Sequence, residues 1–216
     1  MSPSPTNHDR TALRGSPSRT LILGSTSRYR RELLARLAIS FEVASPDVDE
    51  TPQPGEAPAE LALRLALGKA RAVAANFPQA VVIGSDQVAD LNGLSLGKPG
   101  SHERAVAQLR QMRGQTVVFQ TAVAVVCAES GFEQVELAAV SVKFRELGDD
   151  EIENYLRTER PYDCAGSAKS EGLGIALLDS IESDDPTALV GLPLIRTCRM
   201  IRAAGIALLA TPEETS

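Results

Sequence analysis

The chain has 216 residues, 43% hydrophobic and 23% charged, with a net charge of −6. These proportions suit a soluble globular protein of one domain, or two small lobes around a shared sheet. The acidity argues against a general nucleic-acid binder, which needs an extended basic surface. No apolar run approaches the ~18 residues of a membrane helix, so no membrane partner is expected. Residues 1–19 are rich in Pro, Ser, Thr and Arg and lack the apolar stretch of a secretory signal. They read as a disordered tail before a domain at 20–208 and a short tail at 209–216.

In chain order, Thr20 to Leu23 reads as the end of a strand, Gly24-Ser25-Thr26-Ser27 as a polar turn, and Arg28 opens a helix to about residue 38. A short strand near 40–45 leads into a proline-bounded acidic loop, then a long helix at about 58–75. Ala80 to Gly84 is a short apolar run of the kind buried in an α/β sheet. Asn92-Gly93 marks a hairpin over 85–98. Ser101 caps a helix that closes at Gly114. Two β-rich runs follow at 116–128 and 135–144, joined by a turn at Ser130-Gly131. A polar helix at 149–160 is stopped by Pro161. After a Gly-rich stretch at 165–174, Pro193 starts a last helix that ends near Gly205.

Three arginines in the first turn of the 28–38 helix oppose its dipole by a few tenths of a kcal/mol each (roughly). The placement makes sense if the turn's amides and the guanidiniums converge on an anion, phosphate being the obvious one. The bland alternative is a solvated basic face. The histidines, His8 and His102, are poorly placed for a triad or a His-ligated metal. Cys127, Cys164 and Cys198 are odd in number and widely spaced, as expected of reduced thiols in a cytoplasmic protein. Carboxylates, lysines and arginines remain, the set used with Mg²⁺ on phosphates.

Asp86 follows the apolar strand directly, where ligands of open α/β sheets bind, and could hold a metal or activate water; it could equally form an Asx-turn. Lys69 lies in line with Leu61 and Leu65 on one helix face, so its ammonium either snorkels to solvent or enters a site. Lys98, held extended by Pro99, is either a turn lysine or a neighbour of Asp86. In the acidic loop of Asp47, Asp49 and Glu50, Glu50 is the choice for completing a metal site with Asp86. Asp184-Asp185-Pro186 and Val190-Gly191-Leu192-Pro193 read as structural turns.

Taken in order, Ser25-Thr26-Ser27 with Arg30-Arg31, Asp49-Glu50-Thr51, Ser85-Asp86-Gln87, Gly97-Lys98-Pro99, Ala165-Gly166-Ser167 and Val190-Gly191-Leu192-Pro193-Leu194 resemble the Maf-like nucleoside triphosphate pyrophosphatases. The resemblance runs from Leu21 to about Ala204. It implies a Maf/ITPase-like α/β fold, two α/β lobes on a long mixed sheet with a central cleft. It also implies hydrolysis of a nucleoside triphosphate to its monophosphate and pyrophosphate with a divalent cation, Mg²⁺ first and Mn²⁺ or Co²⁺ as substitutes. By position, Asp86 matches the general base and a metal ligand. Ser25, Arg30, Arg31, Lys69 and Lys98 match phosphate-handling residues, and Glu50 a metal ligand.

Cys164-Ala165-Gly166-Ser167, Lys169-Ser170-Glu171-Gly172 and Asp185-Pro186-Thr187-Ala188-Leu189 resemble the 7-methyl-GTP pyrophosphatase subfamily, whose specificity positions fall on Tyr29, Gln87 and Glu171. N7-methylguanine is cationic, so a stacked ring gains a cation–π interaction of about 0.5–2 kcal/mol. A carboxylate can accept hydrogen bonds from guanine N1–H and the N2 amine. Tyr29 stands where the subfamily often has Trp, a larger cation–π face. The reading is therefore a house-cleaning pyrophosphatase acting on modified nucleotides. The alternatives are a dTTP/UTP pyrophosphatase, and a non-catalytic nucleotide-binding regulator of cell division. The sequence sets no oligomeric state; a homodimer is the assembly to test.

Overall fold

The computed structural model describes residues 19–209. Apart from Arg19 and Leu209, the two expected tails lie outside the described residues, as does His8. One mixed sheet runs through the molecule in the order β2-β1-β3-β5-β6-β7, with β4 added to β3. The strands are β1 (Leu21–Gly24), β2 (Glu42–Ala44), β3 (Val81–Leu91), β4 (Leu94–Leu96), β5 (Thr116–Cys127), β6 (Phe132–Phe144) and β7 (Leu178–Glu182). The helices are α1 (Arg28–Ala35), α2 (Pro58–Ala74), α3 (His102–Met112), α4 (Asp149–Glu159) and α5 (Leu194–Ala203).

β1 is buried along its whole length between parallel neighbours β2 and β3, which is why it reads as a continuous apolar run. The other pairings are antiparallel. β5 covers one edge of β3 from Val82 to Asp90. On the opposite edge, pairing with β1 stops at Gly84 and pairing with β4 begins at Ala89. Ser85 to Val88 are thus left without a strand partner on that side, and the site forms beside this gap.

α2 begins with Pro58, whose missing N–H costs a first turn nothing, and Glu60 accepts a hydrogen bond from the Ala57 amide at 3.1 Å. It lays Leu61, Leu65, Ala66, Ala70 and Val73 on one face of the sheet, against Ile22, Val82 and Ala124. Each large apolar side chain buried this way contributes about 1.5–3 kcal/mol. Contact is closest at Gly84, where an added Cβ would lie 2.3 Å from the Ala66 carbonyl oxygen. That proximity brings the next turn of α2 down onto Asp86.

The other face carries two apolar clusters. Leu33 and Leu34 of α1 and Met200 and Ile201 of α5 cover Leu23, Ile83 and Val125. Leu109 and Met112 of α3 and Ile152 and Leu156 of α4 cover Leu91, Phe119 and Val140. These are the two lobes, and β3, β5 and β6 run through both.

Three expectations shift. The 80–84 strand and the start of the hairpin are one continuous strand, so Asp86 lies within β3 rather than after it. The antiparallel ladder with β5 carries the polar Ser-Asp-Gln stretch, where local propensity alone reads as a turn. α1 stops at Ala35, and Ala38 takes a left-handed φ of 52°. β7 is an additional, mostly exposed edge strand whose polar LDSIE sequence carries no alternating apolar signal.

Candidate active site

Pleating sends Asp86 to the α2 face of the sheet and its neighbours Ser85 and Gln87 to the other. On the α2 face, Lys69 is buried, with 6% exposure, and so is Asp86, with 8%. The Lys69 Nζ donates to Asp86 Oδ1 at 2.7 Å and lies 2.6 Å from Glu50 Oε1. Lys69 therefore does not snorkel; its ammonium ties the strand carboxylate to the loop carboxylate. Burial works to raise the Glu50 pKa. The bond to Lys69 and the charges of Lys69, Lys98 and Arg30 outweigh it, holding Glu50 below the ordinary carboxylate value. Lys98 is exposed at the end of the β3–β4 hairpin, within electrostatic reach of Glu50.

The loop that carries Glu50 is held by a clamp not read from the sequence. Arg64 on α2 donates to Glu56 Oε1 at 2.5 Å and Oε2 at 2.8 Å, and to the Thr51 carbonyl at 3.0 Å. Glu56 Oε2 also accepts from the Gln53 amide at 2.9 Å. Asp49 folds back to accept from the Thr51 amide at 2.9 Å, a local turn bond. The available signal, a lone Arg–Glu match eight residues apart, is weak.

At the start of α1, Ser27 caps the helix by accepting from the Arg30 amide at 3.4 Å, and Ser25 accepts from the Ser27 amide at 3.2 Å. The three arginines then part. Arg30 turns inward, donating through Nε to the Gly191 carbonyl at 2.8 Å and through Nη1 to Ser25 Oγ at 3.4 Å. Burial lowers its pKa, while the nearby Asp86 and Glu50 favour its charged form. Arg31 is exposed, and its side chain makes no hydrogen bond or ion pair among the described residues. Arg28 turns onto Tyr29, its guanidinium carbon 4.6 Å from the ring centre.

Opposite Asp86, the bonds made by the β3 side chains are uncharged. Ser85 Oγ lies 2.7 Å from the Ala122 carbonyl and 3.0 Å from that of Gly191. Gln87 Nε2 lies 2.9 Å from Thr121 Oγ1 and 3.0 Å from the carbonyls of both Ala188 and Leu189. Thr121 donates to Ala188 O at 3.0 Å. The amide of Gln87, expected at a specificity position, is here engaged in anchoring the 188–191 turn. That turn is fixed from below by Asp185, which is fully buried. Its Oδ2 accepts from the Arg196 amide at 3.1 Å, and Thr187 Oγ1 accepts from the Leu194 amide at 2.8 Å. Together they satisfy first-turn N–H groups of α5. The Asp-Asp-Pro segment is thus a structural turn, as its sequence suggested.

Tyr29 faces the other lobe. Its hydroxyl receives a hydrogen bond from Arg28 Nη2 at 2.6 Å and lies 3.4 Å from Asp163 Oδ1 and 3.7 Å from Cys164 Sγ. Burial pushes the Tyr29 phenol up to about 12 and the Cys164 thiol up to about 11, so both are neutral at pH 7. Glu171 is exposed, and its charge is felt at Cys164, Tyr155 and Lys169. Lys169 is taken by Glu159 at 2.6 Å. The Gly-rich segment serves packing at Gly166, which sits against Ala89 and Phe119. His102 bridges Tyr162 at 3.0 Å and Glu153 at 2.9 Å, a link between α3 and α4 remote from this cluster.

Glu50 and Asp86 offer hard carboxylate oxygens a single ammonium apart. No group of three or more His, Cys, Asp or Glu gathers among the described residues. This donor set fits Mg²⁺, which binds through one or two carboxylates and takes its remaining ligands from phosphate and water.

The chain is similar to known proteins over most of its length. The Maf-like protein family model matches residues 20–204. A 7-methyl-GTP pyrophosphatase of Polaromonas sp. is 81% identical over 193 residues, 89% of this chain and 88% of that protein. Its counterpart in Albidiferax ferrireducens is 74% identical, covering 88% of this chain and 96% of that one. The one in Aromatoleum aromaticum is 62% identical over 87% and 97%. The chain belongs to the Maf-like protein family.

Proposed function

We propose that this chain hydrolyses a nucleoside triphosphate, 7-methyl-GTP, to the nucleoside monophosphate and pyrophosphate. The observation that carries the reading is the Lys69 ammonium, held 2.7 Å from Asp86 and 2.6 Å from Glu50 beside the inward-turned Arg30. Buried charge of both signs is costly unless a task retains it. The relatives named 7-methyl-GTP pyrophosphatase support the base assignment.

In this reading the triphosphate lies across the start of α1. Ser25, Arg30, Lys69 and Lys98 offset its charge, with Arg31 joining from its exposed position. A divalent cation, Mg²⁺ by the chemistry of the donors, would be held by Glu50 and Asp86 and would supply charge neutralisation on the phosphates. Asp86 Oδ1 is engaged by Lys69, so Oδ2 orients a water and takes its proton. The water oxygen bonds to the α-phosphorus, the bond to the bridging oxygen breaks, and the electron pair leaves with pyrophosphate. Positioning and fixed charge supply most of the rate, as in other phosphoryl transfers. Tyr29 stacks on the base, Glu171 accepts from its N1–H and N2 edge, and Gln87 acts by fixing the 188–191 turn. Three unpaired cysteines among the described residues suit a reducing, cytoplasmic compartment.

Purified protein with Mg²⁺ and a panel of triphosphates, read by pyrophosphate release, tests the assignment. Faster turnover of 7-methyl-GTP than of GTP, dTTP or UTP is expected. No release from any triphosphate defeats it.

A further inference from the structure

We infer that Asp163 is a specificity-determining residue that selects a cationic base, and that Arg28 holds the place of that base while the site is empty. The inference rests on the 7-methyl-GTP reading. Arg28 opens α1 in one lobe, whereas Asp163 stands just before the 165–167 turn, whose Ala165 packs in the core of the other. They meet over Tyr29. The guanidinium carbon lies 4.6 Å from the ring centre, Nη2 lies 3.9 Å from Asp163 Oδ2, and the Tyr29 hydroxyl lies 3.4 Å from Asp163 Oδ1. A planar, delocalised cation therefore already occupies this ring face, with a carboxylate beside it. A purine alkylated at N7 is also a planar, delocalised cation. It can take over both the ring face and the attraction of Asp163, whereas a neutral guanine takes over neither charge interaction.

The two residues have separable effects. Arg28 must leave the ring whichever base enters, so it competes with methylated and unmethylated substrates alike. Asp163 stays, and its attraction is felt only by the charged base. Both side chains are more than half exposed, with 60% exposure for Arg28 and 56% for Asp163. Solvent screening therefore limits the effect to a severalfold change.

The test is the ratio of kcat/KM for 7-methyl-GTP to that for GTP. Asp163→Asn should lower it about three- to tenfold through KM, and Asp163→Glu should restore most of it. Arg28→Ala should lower KM for both nucleotides, at least as much for the charged one, so that the ratio does not fall. An unchanged ratio in Asp163→Asn, or a parallel loss on both substrates, overturns the role of Asp163. A higher KM in Arg28→Ala overturns the competition. A wild-type protein with no preference for 7-methyl-GTP removes the base assignment itself, and this inference with it, a result visible before any variant is made.

Discussion

Two sides of one strand do different work. On the α2 side of β3, Asp86 meets Lys69 and Glu50, all of them charged. On the opposite side, Ser85 and Gln87 hold the 188–191 turn through uncharged hydrogen bonds to carbonyl oxygens. The two-residue period of the strand separates these roles within three consecutive positions. Neutral bonds fix geometry without the desolvation cost of ions, while charge is kept where a polyphosphate can use it. Arg30 joins the sides, since it donates to Gly191 yet its charge is felt at Glu50.

The sharpest way to break this division is Asp86→Asn. It should lower kcat by about 10²- to 10⁴-fold, with nucleotide binding retained in calorimetry and the protein still folded. Lys69→Met should damage both activity and stability, because it leaves the buried Asp86 carboxylate and Glu50 without the ammonium bonded to both. A loss of about 3 kcal/mol in urea unfolding is expected, the low end for a broken buried pair because Glu50 is half open to water. Gln87→Ala should show the reverse of the aspartate variant. It leaves the carbonyls of Ala188 and Leu189 without this donor and should cost about 1–3 kcal/mol of stability, with KM rising more than kcat falls.

The smallest effect concerns acid. Glu56, bonded by Arg64 and by the Gln53 amide, has its pKa lowered from 4.5 to about 2. A carboxyl group depressed on folding adds stability that is complete above its unfolded value and is lost as pH falls through the folded one. Glu56→Gln should therefore show a lower urea midpoint than the parent at neutral pH. The gap should narrow below about 4.5 and close toward about 2. A gap that is independent of pH would mean that the clamp acts through shape alone.

Much of the scaffold was legible because its signals are local. Apolar runs marked β1 and the start of β3, Ser101 marked the start of α3, Pro58 and Pro193 lie at the starts of α2 and α5, and Asn92-Gly93 marked the hairpin. The apolar line Leu61–Leu65–Lys69 pointed at the lysine that reaches Asp86, though snorkelling to solvent was the commoner reading until Gly84 proved to draw α2 so close. What stayed hidden depends on partners distant in the chain. The continuation of β3 through Ser85, Asp86 and Gln87 needs β5. β7 is polar and paired only along β6. The Arg64–Glu56 clamp, and the meeting of Arg28 with Asp163 across 135 residues, leave no periodic trace. Among the three arginines of α1, sequence placed them as a group, and only side-chain packing separates the inward Arg30 from the exposed Arg31.

The length of the central strands has a mechanical consequence. β3, β5 and β6 span 11, 12 and 13 residues and serve as a common beam for both apolar clusters. Rocking one half against the other would bend three adjacent strands and the two ladders between them, breaking many main-chain bonds at once. Adaptation to a nucleotide is therefore left to the short pieces mounted on the beam, the first turn of α1, the 45–57 loop and the 163–172 segment. Selectivity in such a chassis comes from rearranging individual side chains, not from a jaw closing.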